Sequence, residues 1–100
     1  MPGIARGQQT DSISTGHSCD STTTTDECSS KVFVGGIGVV RAGDNQTEHN
    51  QPDDEECVPH TLALSSYSSN VFAEGKGVGR KNDTYGAETI TTGSTKVFAN

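Results

Sequence analysis

The side chains able to do coordination chemistry are few and close together in the chain. All three histidines (His17, His49, His60) and all three cysteines (Cys19, Cys28, Cys57) fall between residues 17 and 60. Cys57-Val58-Pro59-His60 is a C-x-x-H pair, a spacing that lets a thiolate and an imidazole hold one ion from a single turn. His49 stands eight residues before Cys57, and Gly16-His17-Ser18-Cys19 places a second histidine beside a second cysteine upstream. Zinc accepts nitrogen and sulfur donors in a closed tetrahedral set when its role is structural. Three histidines and one cysteine would complete such a set. Histidines in polar loops are more often simply solvated, so the spacing alone is a weak signal.

The remaining motifs carry less chemistry. Asp53-Asp54-Glu55-Glu56 lacks the glycine and alternate spacing of a calcium loop and reads as a solvated acidic turn. Gly75-Lys76-Gly77-Val78-Gly79-Arg80 is glycine-rich but has neither Walker spacing nor a following helix. With no nucleophile elbow and too few apolar residues to wall a pocket, no enzymatic activity is expected. An odd number of cysteines excludes a full disulfide framework, and the one bridge the spacing suggests is Cys19–Cys28.

Positioning such donors needs a fold, and the composition leaves little to build one. The chain has 100 residues, a net charge of −6, and only 17 Leu, Ile, Val and Phe against 24 Ser and Thr. That apolar share lies below the level of about 20% at which disorder competes with folding. No apolar run approaches the roughly 20 residues of a membrane-spanning helix, and Met1–Ser12 lacks the apolar stretch of a signal peptide. Thirteen acids against seven bases disfavour duplex nucleic acid as a partner. What is left is a disordered segment, or one small β domain held by something besides its core. A metal would be such a staple, because its binding energy counts as folding energy.

Internal repetition favours the β domain. Ser29–Asp44 and Ser68–Asp83 align at a constant offset of 39, matching Ser, Ser, Val, Phe, Gly, Gly, Val, Arg and Asp. A shorter copy, Ser94–Asn100, repeats Lys-Val-Phe, so every Phe in the chain occupies one slot of the unit. Each full unit reads as a β-hairpin. Val-Phe-Val or Val-Phe-Ala is a short β-prone strand, Gly35-Gly36 and Glu74-Gly75 supply positive φ for a tight turn, and Ile37–Arg41 and Lys76–Arg80 return. Three units suit the three faces of one compact body.

The unit Ser-x-x-Val-Phe-x-x-Gly-x-Gly-Val-x-Arg-x-Gly-Asp, with His and Cys in the preceding loops, resembles the PAAR-repeat proteins. It is closest to the short stand-alone spike-tip proteins of T4-like contractile phage tails, over about residues 14–100. The eponymous Pro-Ala-Ala-Arg survives only in part, as Gly38-Val39-Val40-Arg41 and Gly77-Val78-Gly79-Arg80. The resemblance implies an all-β, cone-shaped fold of short hairpins with pseudo-three-fold repeats and a metal at the apex. Residues 14–100 would form the domain and 1–13 an N-terminal loop or strap. It implies one structural ion, zinc with iron as the alternative, on three histidines and one cysteine. Carried over, His17 matches the histidine before the first repeat, and Cys57 and His60 the pair before the second. The loop before the third repeat, Thr84–Ala87, offers no ligand, so His49 is the substitute and Cys19 the rival thiolate. The implied partner is a trimeric β-helical spike met through Val32, Phe33, Val71, Phe72, Val97 and Phe98, in a virion tail baseplate that pierces a cell envelope. A free-standing, metal-stabilised β adaptor is the competing expectation.

Overall fold

The computed structural model describes all of residues 1–100 and contains strands but no helix. The ten strands are short: β1 (Ser12–Ser14), β2 (Thr22–Thr24), β3 (Phe33–Val34), β4 (Ile37–Gly38), β5 (His49–Asp53), β6 (Glu56–His60), β7 (Phe72–Ala73), β8 (Lys76–Gly77), β9 (Thr84–Tyr85) and β10 (Glu88–Ile90). They form a four-stranded antiparallel sheet, β2-β1-β10-β9, and three separate hairpins, β3-β4, β5-β6 and β7-β8.

The repeat hairpins turn where the glycines demand it. Gly35 and Gly36 have φ of 60° and 81°, and Glu74 and Gly75 have 54° and 79°. Positive φ at both central residues gives the turn whose twist matches the flanking strands. The serine that opens each unit has an equally local role. Ser29 Oγ accepts from the amides of Lys31 and Val32, Ser68 Oγ from Asn70 and Val71, and Ser94 Oγ from Lys96 and Val97.

The return strands are shorter than the expected Ile37–Arg41 and Lys76–Arg80. Pairing within each hairpin ends at Gly38 and Gly77, and the chain then joins a neighbouring repeat through bridges Arg6↔Val39, Arg41↔Val78 and Ile4↔Arg80. These bridges close a ring. Ala5 N donates to Gly79 O, Gly79 N to Val40 O, and Val40 N to Ala5 O. A second ring runs Gly7 N to Gly38 O, Ala42 N to Gly77 O, and Lys81 N to Gly3 O. Backbone groups that a two-residue strand leaves unpaired are thus satisfied around a pseudo-three-fold axis.

Both rings require the N-terminal segment, so Gly3–Gly7, expected to be part of a loop or strap over 1–13, pair with the repeats instead. Ile4 N donates to Val97 O as Val39 N does to Val32 O and Val78 N to Val71 O. The first residues of the chain therefore supply the return strand that Ser94–Asn100 lacks. Gly3, Gly38 and Gly77 are equivalent, and each must be glycine. A Cβ there would lie 1.9 Å from Ser94 O, 2.0 Å from Ser29 O and 2.3 Å from Ser68 O respectively. The repeat's Arg and Asp are equivalent as well. Arg6–Asp11, Arg41–Asp44 and Arg80–Asp83 are paired through two guanidinium bonds each, and each Asp also accepts the amide of its own Arg.

Few as they are, the apolar side chains fill two stacked layers. The first is three-fold: Val34, Ala73 and Ala99 with Val39, Val78 and Ile4. The second contains Ala5, Val40, Ile13, Leu64, Tyr85 and Ile90. Val39 belongs to one layer and Val40 to the other, so they meet at the ring. The body is elongated, 41 × 23 × 22 Å. Beyond the second layer, the β5-β6 hairpin begins at the cross-strand pair His49↔His60 and ends at Asp53↔Glu56. Its acidic turn therefore lies four residues, or about 13 Å, further along.

Candidate metal centre

Three imidazoles and one carboxylate converge beyond the second core layer. His17 lies in the turn between β1 and β2, His49 opens β5, His60 closes β6, and Glu88 opens β10. Ligand atoms from these four residues all lie within 4.8 Å of one another. His17 Nε2 and His60 Nε2 are each 3.0 Å from Glu88 Oε2, and His49 Nε2 is 3.0 Å from Oε1 and 3.2 Å from Oε2. The rings stand around the carboxylate with centroids 5.0–5.3 Å apart. A tetrahedral zinc ion, with bonds of about 2.0–2.2 Å, separates its ligand atoms by about 3.3 Å. The imidazole–carboxylate distances already match that separation.

Burial and hydrogen bonding suit a cation at this point. Glu88 is 1% exposed and His49 6%, and a buried carboxylate must be compensated. His49 Nδ1 lies 3.0 Å from Thr47 O. A carbonyl only accepts, so Nδ1 carries the proton and a neutral ring points its Nε2 lone pair at the carboxylate. Two acceptors at that distance repel unless the ring is protonated or a cation lies between them. The carbonyl–histidine arrangement is also how metal-bound imidazoles are held in one tautomer. Gln46, 2% exposed, completes the support: its Nε2 donates to Glu88 Oε1 at 3.0 Å and its Oε1 accepts Leu62 N at 2.9 Å.

All three predicted histidines are in the cluster, whereas neither cysteine is. Cys57 is disulfide-bonded to Cys19, so in place of the thiolate expected from Cys57, or from its rival Cys19, the fourth candidate donor is the Glu88 carboxylate. The reason is local. C-x-x-H can grip one ion only where the chain turns, but Cys57 and His60 lie in the straight strand β6. Three residues of strand separate them by about 10 Å, and the odd offset points them to opposite faces. The Cys19–Cys28 pairing is not formed either: Cys28 is the free cysteine, half-buried, and its thiol pKa is pushed up by burial and then by the Asp44 charge. Glu88 follows directly on Thr84–Ala87, so the segment before the third repeat does offer a candidate ligand, one residue beyond the stretch considered. A lone acid between Tyr85 and Ile90 was the available signal.

The residues expected to meet a partner are largely on the surface. Phe33, Phe72 and Phe98 are 53%, 57% and 46% exposed, Val32 and Val97 are also exposed, and Val71 is half-buried against the first core layer. Fold and site together define a small all-β, three-repeat protein with a three-histidine, one-carboxylate group able to hold a metal ion. Comparison with known proteins finds no matching family model and no matching curated protein.

Proposed function

We propose that this chain is a metal-stabilised structural tip that caps a trimeric β-helical spike, as in the PAAR-repeat proteins it resembles. The observation that carries the reading is the pseudo-three-fold ring. A single chain that repeats Val-Phe and its backbone ring three times about one axis offers three near-equivalent faces to a three-fold partner. Phe33, Phe72 and Phe98 are large apolar side chains left in water at equivalent positions, and repeated exposed apolar groups mark interaction surfaces. Lys31, Lys76 and Lys96 stand exposed among them, whereas the acids Asp53–Glu56 crowd the far hairpin. The body therefore has an apolar, cationic end for docking and an acidic opposite end to lead.

The role assigned to the metal, zinc in this reading, is to make that leading end rigid. It would tie the β1–β2 turn, both strands of the β5-β6 hairpin and β10 together where no apolar core reaches. With four protein donors, this reading leaves no open position for a substrate and assigns the ion a structural role. The setting that fits is a virion tail baseplate, with the tip meeting a cell envelope on contraction. Size-exclusion chromatography with a trimeric β-helical spike protein of a contractile tail tests the reading. One chain per trimer is expected, with Phe33→Asp, Phe72→Asp and Phe98→Asp together abolishing the complex while metal stays bound. A native chain that never associates with the trimer refutes it.

A further inference from the structure

The Cys19–Cys57 bridge joins the two segments that bring His17 and His60 together, and we infer that it sets the affinity of the centre: the oxidised protein binds its metal more tightly than the reduced protein. The inference rests on the metal-centre reading above and is independent of the spike partner.

Three of the four donors are held by strand pairing and buried hydrogen bonds. His49 and His60 are direct cross-strand partners, and Glu88 sits in the four-stranded sheet with Gln46 fixing its carboxylate. His17 is different. It lies in the turn between β1 and β2, where its amide donates to Thr15 Oγ1 and its buried Nδ1 has no partner. No hydrogen bond outside the cluster orients this ring. The turn's polar ties to the β5-β6 hairpin are Asp20 N to Asn50 O at 3.4 Å, and the amide and side chain of Asn50 to the half-buried Asp20 carboxylate. The two bonds to the carboxylate are of the stronger kind, but they anchor at Asp20, three residues past His17, and neither orients the imidazole. The covalent tie is the disulfide, which fastens the turn two residues after His17 to β6 three residues before His60, closing a sequence separation of 38.

Reduction therefore loosens the fourth donor while leaving the other three in place. With a trialkylphosphine and water, the S–S bond breaks, the phosphine gives up two electrons and takes the water oxygen as phosphine oxide, and Cys19 and Cys57 become thiols. The freed turn must then be ordered each time an ion binds, a cost that the bridge removes by preorganisation. By linkage the coupling is reciprocal, so bound metal must make the bridge harder to reduce by the same factor.

The test titrates the full chain with Zn²⁺ against a chromogenic chelator, oxidised and after phosphine treatment, with Cys19→Ser/Cys57→Ser as a permanently unbridged form. Oxidised protein is expected to bind at least tenfold more tightly, and the double variant to match the reduced protein and ignore phosphine. In a dithiol redox buffer, saturating zinc is expected to shift the equilibrium of the native bridge toward the disulfide. Equal affinity in both redox states overturns the inference. So does tighter binding after reduction, which would mean that a freed thiolate joins the ion. Absence of zinc binding in either state removes the metal centre itself, and this inference with it.

Discussion

Replacing Glu88 with glutamine keeps the shape of the fourth donor and removes its charge. Structural zinc sites are worth about 10–16 kcal/mol over four donors, so one donor contributes roughly 3 kcal/mol, or about a 100-fold change in affinity. At free zinc about 1,000 times the native dissociation constant, binding stabilises the fold by about 4.1 kcal/mol, and at 100-fold weaker affinity by only about 1.4 kcal/mol. For a chain of this length the difference lowers Tm by about 10–20 °C. The metal-free proteins should differ less, because losing the carboxylate's bonds to Gln46 and His49 is offset by removing a buried negative charge. Thermal melts with zinc and with a chelator separate the two contributions. Cobalt(II) in place of zinc reports the donors directly, and no thiolate-to-metal charge-transfer band is expected in the oxidised protein. The reasoning fails if Glu88→Gln retains the ion while Cys57→Ser loses it, or if the thiolate band appears.

Two further outcomes test the fold and its electrostatics. Gly38→Ala should destabilise the protein by about 3 kcal/mol or more in chemical unfolding, because the new Cβ would stand 2.0 Å from the backbone oxygen of Ser29. Gly36→Ala, with φ of 81° and open space around it, should cost only the left-handed strain of about 1–2 kcal/mol. Equal costs would deny the ring its close packing. The Ser29 hydroxyl, then the charges of Arg41, Lys31 and Lys76, hold the Glu74 carboxyl below the usual carboxylate range. Because the folded-state pKa is the lower one, this contribution is present above the unfolded value and disappears as pH falls through the folded value. Native protein should therefore lose Tm more steeply than Glu74→Gln below about pH 4.5, the ordinary carboxylate range; parallel acid limbs would show that Glu74 stabilises nothing.

The residues alone reveal what short stretches of chain control. The repeats were legible because identical residues recur at a fixed offset. The hairpin turns were legible because Gly35-Gly36 and Glu74-Gly75 satisfy a steric condition set within two residues. The histidines stood out as the strong nitrogen ligands in a chain with few other candidates. Tertiary structure decided everything that depends on closing the chain on itself. Gly3-Ile4-Ala5-Arg6 with Asp11 can be aligned to Gly38-Val39-Val40-Arg41 with Asp44 only across two extra residues, and only the backbone ring shows that the first strand completes the last repeat. Asp53–Glu56 are the conspicuous acids, yet the carboxylate beside the histidines is Glu88, brought close to His17 by the pairing of β10 with β1. Cys57 is close to His60 in sequence but lies outside the histidine–carboxylate group, because an extended strand, unlike a turn, separates neighbours by about 3.3 Å per residue. Sequence proximity predicts coordination only where the backbone turns, and here the donors are gathered by strands that meet far from one another in the chain.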